Sequence, residues 1–278
     1  MNVLEFSGLI GVVSFTAGFI GALTGLGGGV VIVPALTLLF HVNIRYAIGA
    51  SLISVIATSS GAASAYVKEG YTNLRLGMFL EIATSLGALL GAFIAAKVST
   101  TGVGLIFGLV LLYSAWLSSR PRPEDHAADN PERLAEELKL DAKYPGPRGL
   151  QAYHVHAVPF GFSMMLIAGA ISGLLGIGSG AFKVLAMDEL MRIPFKVSTT
   201  TSNFMIGVTA AASTGVYLHR GYIDPGLAMP VMLGVLAGSL LGTRVLVKTE
   251  TRRLRELFAA VIVVLAVEML YNAISGKL

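Results

Sequence analysis

Residues 18–97 of this chain recur without a gap further along, and that repetition restricts the fold more than any other feature. Gly25-Leu26-Gly27-Gly28-Gly29 and Gly176-Ile177-Gly178-Ser179-Gly180 lie 151 positions apart. The same offset pairs Gly18 with Gly169, Arg45 with Lys196, Ser51 with Ser202, Tyr66 with Tyr217 and Lys97 with Lys248. It also sets Gly70-Tyr71 on Gly221-Tyr222, and Gly87…Gly91 on Gly238…Gly242. Ungapped agreement of this kind marks an internal duplication of one structural unit.

The unit is built for a bilayer. Hydrophobic residues make up 54% of the 278-residue chain and charged residues only 13%, against about 25% charged in soluble domains. Several apolar runs reach the roughly 20 residues needed to cross a membrane. Cysteine is absent, which excludes disulfides, thiol catalysis and iron–sulfur clusters. Met1-Asn2-Val3-Leu4-Glu5-Phe6 lacks the basic opening of a signal peptide, so the first apolar segment is expected to be retained. The net charge of +4 is spread over loops and does not point to nucleic acid.

As one straight helix the first apolar block, 6–40, would be about 50 Å long, against a hydrocarbon core of about 30 Å. It has to fold back, and glycine, a poor helix former, marks the place at Gly25–Gly29. The block is read as a hairpin of two helices, the second shorter. Spans at 47–66, 74–96 and 102–117 follow, with Asn73 as an N-cap and Tyr113 and Trp116 at a membrane interface. Pro34 is expected either to kink a helix or to start one after the break, and Pro230 to kink one. From 119 to 154 the composition turns to Arg, Glu, Asp and Pro. There Pro131–Leu138 reads as a short amphipathic surface helix and the rest as linker. The division is therefore repeat 1 at 1–118, linker at 119–154 and repeat 2 at 155–278.

The basic residues orient the halves. If each glycine hairpin enters and leaves on one face, 4 basic residues (Arg45, Lys97, Arg220 and Lys277) fall on one side of the membrane and 15 on the other, with Lys183 inside. If each block crosses once, the split is 10 against 9. The biased partition is the one membrane proteins show, and it gives each half an odd number of crossings. The expected fold is thus an all-α polytopic membrane protein of two inverted-topology repeats. Each repeat is a glycine-broken helical hairpin plus three transmembrane helices. Both termini lie outside an inner membrane and the linker is cytoplasmic.

Inverted repeats with broken helices are the architecture of secondary transporters, whose breaks meet near the midplane. Free N–H groups and the positive end of the helix after each break favour an anion there. The candidate contacts are Gly25, Gly27, Gly28 and Gly29 with Gly176, Gly178, Ser179 and Gly180. The competing reading is that small residues merely allow close helix packing. A P-loop is disfavoured because no Lys-Ser/Thr follows the glycines. Lys183 falls in the first turn after the second break, where an ammonium needs either an anion or a carboxylate such as Asp188 or Glu189. Ser51, Ser202 and Asn203 either donate to an oxyanion or tie helices together. Glu81 and Glu268 lie within spans and are candidates for proton coupling, with a water-filled vestibule as the alternative setting for Glu81. His154 and His156 form an H-x-H pair with no carboxylate or cysteine nearby in sequence to complete a metal site. No cofactor or metal is expected.

Together these motifs resemble the TauE/SafE sulfite-exporter family. The resemblance rests on Gly25–Gly29 ending in Pro34, on Ala50-Ser51-Leu52 after a basic turn, on the turns Gly70-Tyr71-Thr72-Asn73 and Gly221-Tyr222-Ile223-Asp224, and on the paired Gly87…Gly91 and Gly238…Gly242. It covers nearly the whole chain apart from the linker. It implies a bacterial or archaeal inner-membrane transporter that exports sulfite or organosulfonates such as sulfoacetate and sulfolactate. Ser179 replaces a glycine of the fuller motif, and Asn203 stands where the first half has Leu52. The expected activity is secondary active transport by alternating access, energised by the proton gradient. An uncoupled anion channel is the alternative. An enzyme is disfavoured, since neither a nucleophile–base pair nor a metal set is visible. The expected partners are a small anion and membrane lipid, with no nucleic acid and with a homodimer left open. If the linker is cytoplasmic, Asn130→Cys in this cysteine-free chain will react with an impermeant maleimide only after the cells are opened. Labelling in intact cells would reverse the topology.

Overall fold

The computed structural model describes residues 3–24, 28–68, 70–119, 132–146, 149–246 and 251–276. Gly25 and Gly27 of the first glycine run, and Pro131 ahead of the linker helix, lie outside the described residues.

Helix α1 (Val3–Thr24) ends at the glycine run. Helix α2 (Gly29–Pro34) then passes directly into a π-helical turn at Ala35–Leu39. Helices α3 (Ile44–Lys68), α4 (Leu74–Ala95) and α5 (Thr100–Ser119) complete the first half. The linker holds α6 (Arg133–Glu137) and the strands β1 (Ala142–Gly146) and β2 (Gly149–Tyr153). The second half comprises α7 (Val158–Leu175), α8 (Gly180–Leu185), a second π turn at Ala186–Leu190, α9 (Phe195–His219), α10 (Pro225–Leu246) and α11 (Thr251–Ile274). Helix α8, the second π turn, α9 and α10 each begin and end 151 residues after α2, the first π turn, α3 and α4. The sequence repeat is therefore a structural repeat down to the helix ends.

Local signals account for several boundaries. Asn73 caps α4 as expected, its Oδ1 accepting from Leu76 N at 3.0 Å. Pro34 closes α2 and does not start it. Nor does the proline cause the π turn, because the equivalent Leu185 precedes the same geometry. Each hairpin returns to the level at which it began. The rings of Phe6 and Phe40 meet edge to face at 5.7 Å, and in the second half His156 N donates to Met191 O at 3.1 Å. The return arm, Gly29–Leu39, is about 16 Å long and so reaches about half-way through the roughly 30 Å hydrocarbon core.

The halves embrace. Helix α1 lies along α10, α4 along α7 and α5 along α11, while α3 packs on both α9 and α10. The closest approaches are reciprocal. A Cβ on Gly18 would strike the backbone of Val235, and one on Gly169 that of Thr84, which is the same contact seen from the other half. Gly238 with Phe15 and Gly87 with Leu166 form a second such pair. Glycine at these positions lets helices touch backbone to backbone. Contacts along α4 and α9 advance together: Asn73 N donates to Thr201 Oγ1 at 3.1 Å, Gly77 faces Phe204, and Glu81 meets Thr209. Along α3 and α10, Gly49 faces Tyr222 and Gly61 faces Leu236. The helices of each of these pairs run the same way.

Among the described residues, the helical stretches Leu74–Ala95, Val158–Leu175 and Pro225–Gly242 are long and apolar enough to cross a membrane. Met78, Ile82, Leu86 and Phe93 point outward from α4 at helical spacing, a face suited to hydrocarbon. Helices α3 and α9 instead carry buried hydroxyls, among them Ser51, Ser54, Ser59, Ser202 and Thr209.

The linker departs from the all-helical expectation. Strands β1 and β2 pair antiparallel, with Ala142 opposite Tyr153 and Gly146 opposite Gly149. Pro145 is tolerated because a two-stranded ribbon has only edges. This segment docks firmly: Ala135, Leu140, Tyr153 and Val155 are buried with Leu76, Leu80, Met187 and Met191. Asn73 Nδ2 donates to Tyr153 Oη and to Leu140 O, each at 2.8 Å. Burial raises the Tyr153 hydroxyl to about 12, against the opposing pull of its Asn73 hydrogen bond. The sequence showed no carboxylate near the histidine pair, but folding brings one there: His154 Nδ1 lies 2.9 Å from Asp141 Oδ2.

The glycine contacts give a direct test. A Cβ at Gly173 would collide with the Ala88 carbonyl, whereas Gly8 has open space around it. Gly173→Ala is expected to cost about 3 kcal/mol in thermal unfolding in detergent, and Gly8→Ala to be neutral or slightly stabilising.

Candidate functional site

The two breaks meet. The Gly28 carbonyl accepts from Val31 N and Ile32 N, both at 3.1 Å, which opens α2. A Cβ on Gly29 would press against Ser51 Oγ and Val55 and would stand 3.1 Å from the carbonyl oxygen of Gly176. The first residue of one return arm thus touches the break of the other half.

The second break is described in full. Gly176, Gly178 and Ser179 all have left-handed backbone, with φ of +67°, +74° and +46°. Glycine adopts this region freely; Ser179 does so against its Cβ. Gly180 begins α8, and Ser179 O accepts from Lys183 N at 3.1 Å. Chain carbonyls around the break are met by hydroxyls, as an apolar interior requires. Ser51 Oγ donates to Gly176 O at 2.8 Å and Ser202 Oγ to Gly180 O at 3.3 Å. Tyr217 Oη lies 3.1 Å from Gly173 O and 3.2 Å from Leu174 O. Ser51 and Ser202 are equivalent by the repeat, yet Ser51 crosses to the other half and Ser202 serves its own. The Ser179 hydroxyl is buried with no hydrogen-bond partner among the described residues.

Lys183 lies within the protein with 0% of its surface exposed. Its Nζ donates to Thr209 Oγ1 at 2.5 Å, and the single Thr209 proton can go to Glu81 Oε1 at 2.8 Å or to Met205 O at 2.9 Å. Ser85 Oγ donates to the same carboxylate oxygen at 2.9 Å. Glu81 Oε2 is buried with no partner among the described residues. Thr209 of α9 thus ties Lys183 to Glu81 of α4, a carboxylate the sequence reading had not paired with it; of the two it offered, Glu189 is exposed and Asp188 is buried. Removing one member of such a buried pair strands the other, so the trio is energetically tight.

The other sequence candidates divide. Asn203 contributes its carbonyl, which accepts from Ser59 Oγ, and Gly207 N donates to that hydroxyl at 3.0 Å, so this group joins α3 to α9. The Glu268 side chain is exposed on α11 and takes no part in the cluster. Thr209 is the residue the sequence reading missed. It follows Ser202 by two helical turns, and extending the hydroxyl stripe of α9 along that face would have found it. Among the described residues, no group of three or more His, Cys, Asp or Glu could hold a metal.

Comparison with known proteins follows the same line. The sequence profile of the family described as sulfite exporter TauE/SafE matches residues 10–269. The chain is 28% identical to the probable membrane transporter protein YunE of Bacillus subtilis, over 95% of this chain and 97% of that one. It is 26% identical to the probable membrane transporter protein YdhB of the same organism, over 85% and 89% of the two chains. Its identity to the probable membrane transporter protein MJ0441 of Methanocaldococcus jannaschii is 22%, over 94% of each. No solved structure matches the chain.

The central hydroxyl is testable. Thr209→Val keeps the shape and removes the link between Lys183 and Glu81, and is expected to cost about 3 kcal/mol in thermal unfolding. Thr214→Val, which loses only a bond to Ala210 O within its own helix, is expected to be close to neutral.

Proposed function

The chain belongs to the sulfite exporter TauE/SafE family, and on that premise we propose that it is a secondary active transporter of small sulfur-containing anions. The substrate class is sulfite or an organosulfonate such as sulfoacetate or sulfolactate, carried outward across the inner membrane by alternating access. The observation that carries this reading is the meeting of two glycine breaks, one from each half, with a fully buried lysine one turn beyond the second. An ammonium enclosed in a membrane protein marks a substrate or ion path by default. The anion is held between the breaks by backbone N–H groups, Lys183 and the unpartnered Ser179 hydroxyl.

The halves are inverted in this reading, and helix direction supports it. Helix α3 runs with α10, and α10 returns from α9 after the short turn at Arg220–Asp224. The equivalent helices α3 and α9 then run oppositely. The linker and the basic excess lie on the cytoplasmic face, with both termini outside. Alternating access is a rocking of one half against the other about the shared breaks.

Proteoliposomes supply the experiment. Counterflow of labelled sulfite, sulfoacetate or sulfolactate is expected to be accelerated by the same anion on the opposite side, as in a carrier. Flux that follows voltage alone, without such acceleration, would make the protein a channel. Lys183→Ala is expected to raise the apparent KM about 30-fold, the equivalent of about 2 kcal/mol. A mutant with wild-type KM would remove Lys183 from the site.

A further inference from the structure

Lys183 already has an anionic partner. Glu81 reaches it through Thr209, the three side chains are at least nine-tenths buried, and one carboxylate oxygen has no hydrogen-bond partner among the described residues. The charge balance of this site restricts what can bind to it. The Lys183 ammonium and the Glu81 carboxylate balance each other. An anion arriving at Lys183 without compensation adds net negative charge in a low-dielectric interior, next to Glu81, which is strongly unfavourable. Protonation of Glu81 removes one negative charge.

We propose that Glu81 is the coupling residue and that it takes up one proton for each anion that binds at Lys183, so that proton and anion cross together. The inference rests on the anion-carrier reading above. The step is an exchange of partners. The Lys183 ammonium keeps its proton throughout and turns from the Glu81–Thr209 link to the anion. The carboxylate, released, binds a proton at Oε2, the oxygen without a donor among the described residues. On release of the anion the proton leaves and the link to Lys183 re-forms. Thr209 suits the part because its hydroxyl accepts from the ammonium and can donate either to the carboxylate or to Met205 O of its own helix. With Glu81 protonated, the same hydroxyl can satisfy either neighbour alone.

Other charges stand on the neighbouring elements: Asp188, buried five residues beyond Lys183 on the same arm, and Arg75 in the first turn of α4, which donates to Lys139 O. Helix α7, packed along α4, carries no ionisable residue. The charged and titratable groups of α9, Lys196, Tyr217 and His219, stand towards its two ends; Lys196 lies over the Tyr71 ring and the Tyr217 hydroxyl is held on Gly173 O. In the linker Asp141 is engaged by His154. The repeat makes the site one-sided, since the positions equivalent to Lys183 and Glu81 are Ile32 and Met232. One proton site therefore serves the whole transporter. The sign of the coupling also bears on direction. An acid exterior draws the anion inward, and in this scheme export is driven by the anion's own outward gradient.

The test counts protons. Purified protein in proteoliposomes containing a trapped pH dye is given labelled sulfoacetate, whose acid groups are both ionised near neutral pH, and labelled sulfite in parallel. Wild type is expected to move about one proton with each sulfoacetate, and an acid exterior is expected to drive uptake. In Glu81→Gln the proton count is expected to fall to none and the anion flux to lose its dependence on pH, with Glu81→Asp restoring part of both. Anion flux in wild type without proton movement overturns the inference, whether or not the Glu81 variants fold. So does proton-coupled uptake that survives in Glu81→Gln. If neither anion shows counterflow in wild type, the anion-carrier reading itself fails and the inference falls with it.

Discussion

An interrupted helix in an apolar interior leaves chain carbonyls and amides that must find partners, and much of this molecule is arranged around that requirement. At the second break the partners are Ser51, Ser202 and Tyr217. None of these hydroxyls lies in the hairpin it serves. Ser51 arrives on α3 from the opposite half, and the other two arrive on α9. The break is therefore tolerable only once α3 and α9 are in place, and the two hydroxyl-rich helices owe their buried position to it. The same α9 delivers Thr209 to Lys183, so the scaffold that satisfies the backbone also positions the charge.

Around this centre, glycine sets the distances. The α1–α10 and α4–α7 pairs touch through Gly18, Gly238, Gly87 and Gly169, with no side chain between them. Such contacts suit a membrane, where burying apolar groups away from lipid tails gains nothing and association depends on close van der Waals approach. They also leave large apolar side chains free to face outward, as Met78, Ile82 and Phe93 do on α4.

Much of this was legible in the chain alone, for a physical reason. Duplication at a fixed offset transfers every boundary found in one half to the other, and the helix ends obey it from α2 to α4. The hairpin followed from length, since 6–40 is too long for one crossing and too glycine-rich to stay helical. Asn73 carried a local signal that tertiary packing did not override. The linker was less legible because Tyr144-Pro145-Gly146 and Leu150-Gln151-Ala152 have no strong strand pattern, and their pairing depends on docking against Asn73 and Leu76. In the site, Lys183 stood out because charge is rare in such a segment. Its link to Glu81 did not, because more than a hundred residues separate them and the intermediary, Thr209, is one hydroxyl among many. Glu268 resembles Glu81 in sequence, but only one of the two faces inward, and apolar helix composition does not say which face is covered.

The reciprocal packing also bears on how such a chain could have arisen. Neither half covers its own glycine-lined faces: α4 is covered by α7, and α10 by α1. A polypeptide of one unit would leave a backbone-deep groove open along its fourth helix and a matching ridge bare along its first. It would need a second copy of itself to close both. Fusion of two such units would turn that pairing into an intramolecular one. Once fused, the two copies would be free to differ, so that a lysine and a glutamate could be placed on one side of the pair without their duplicates on the other.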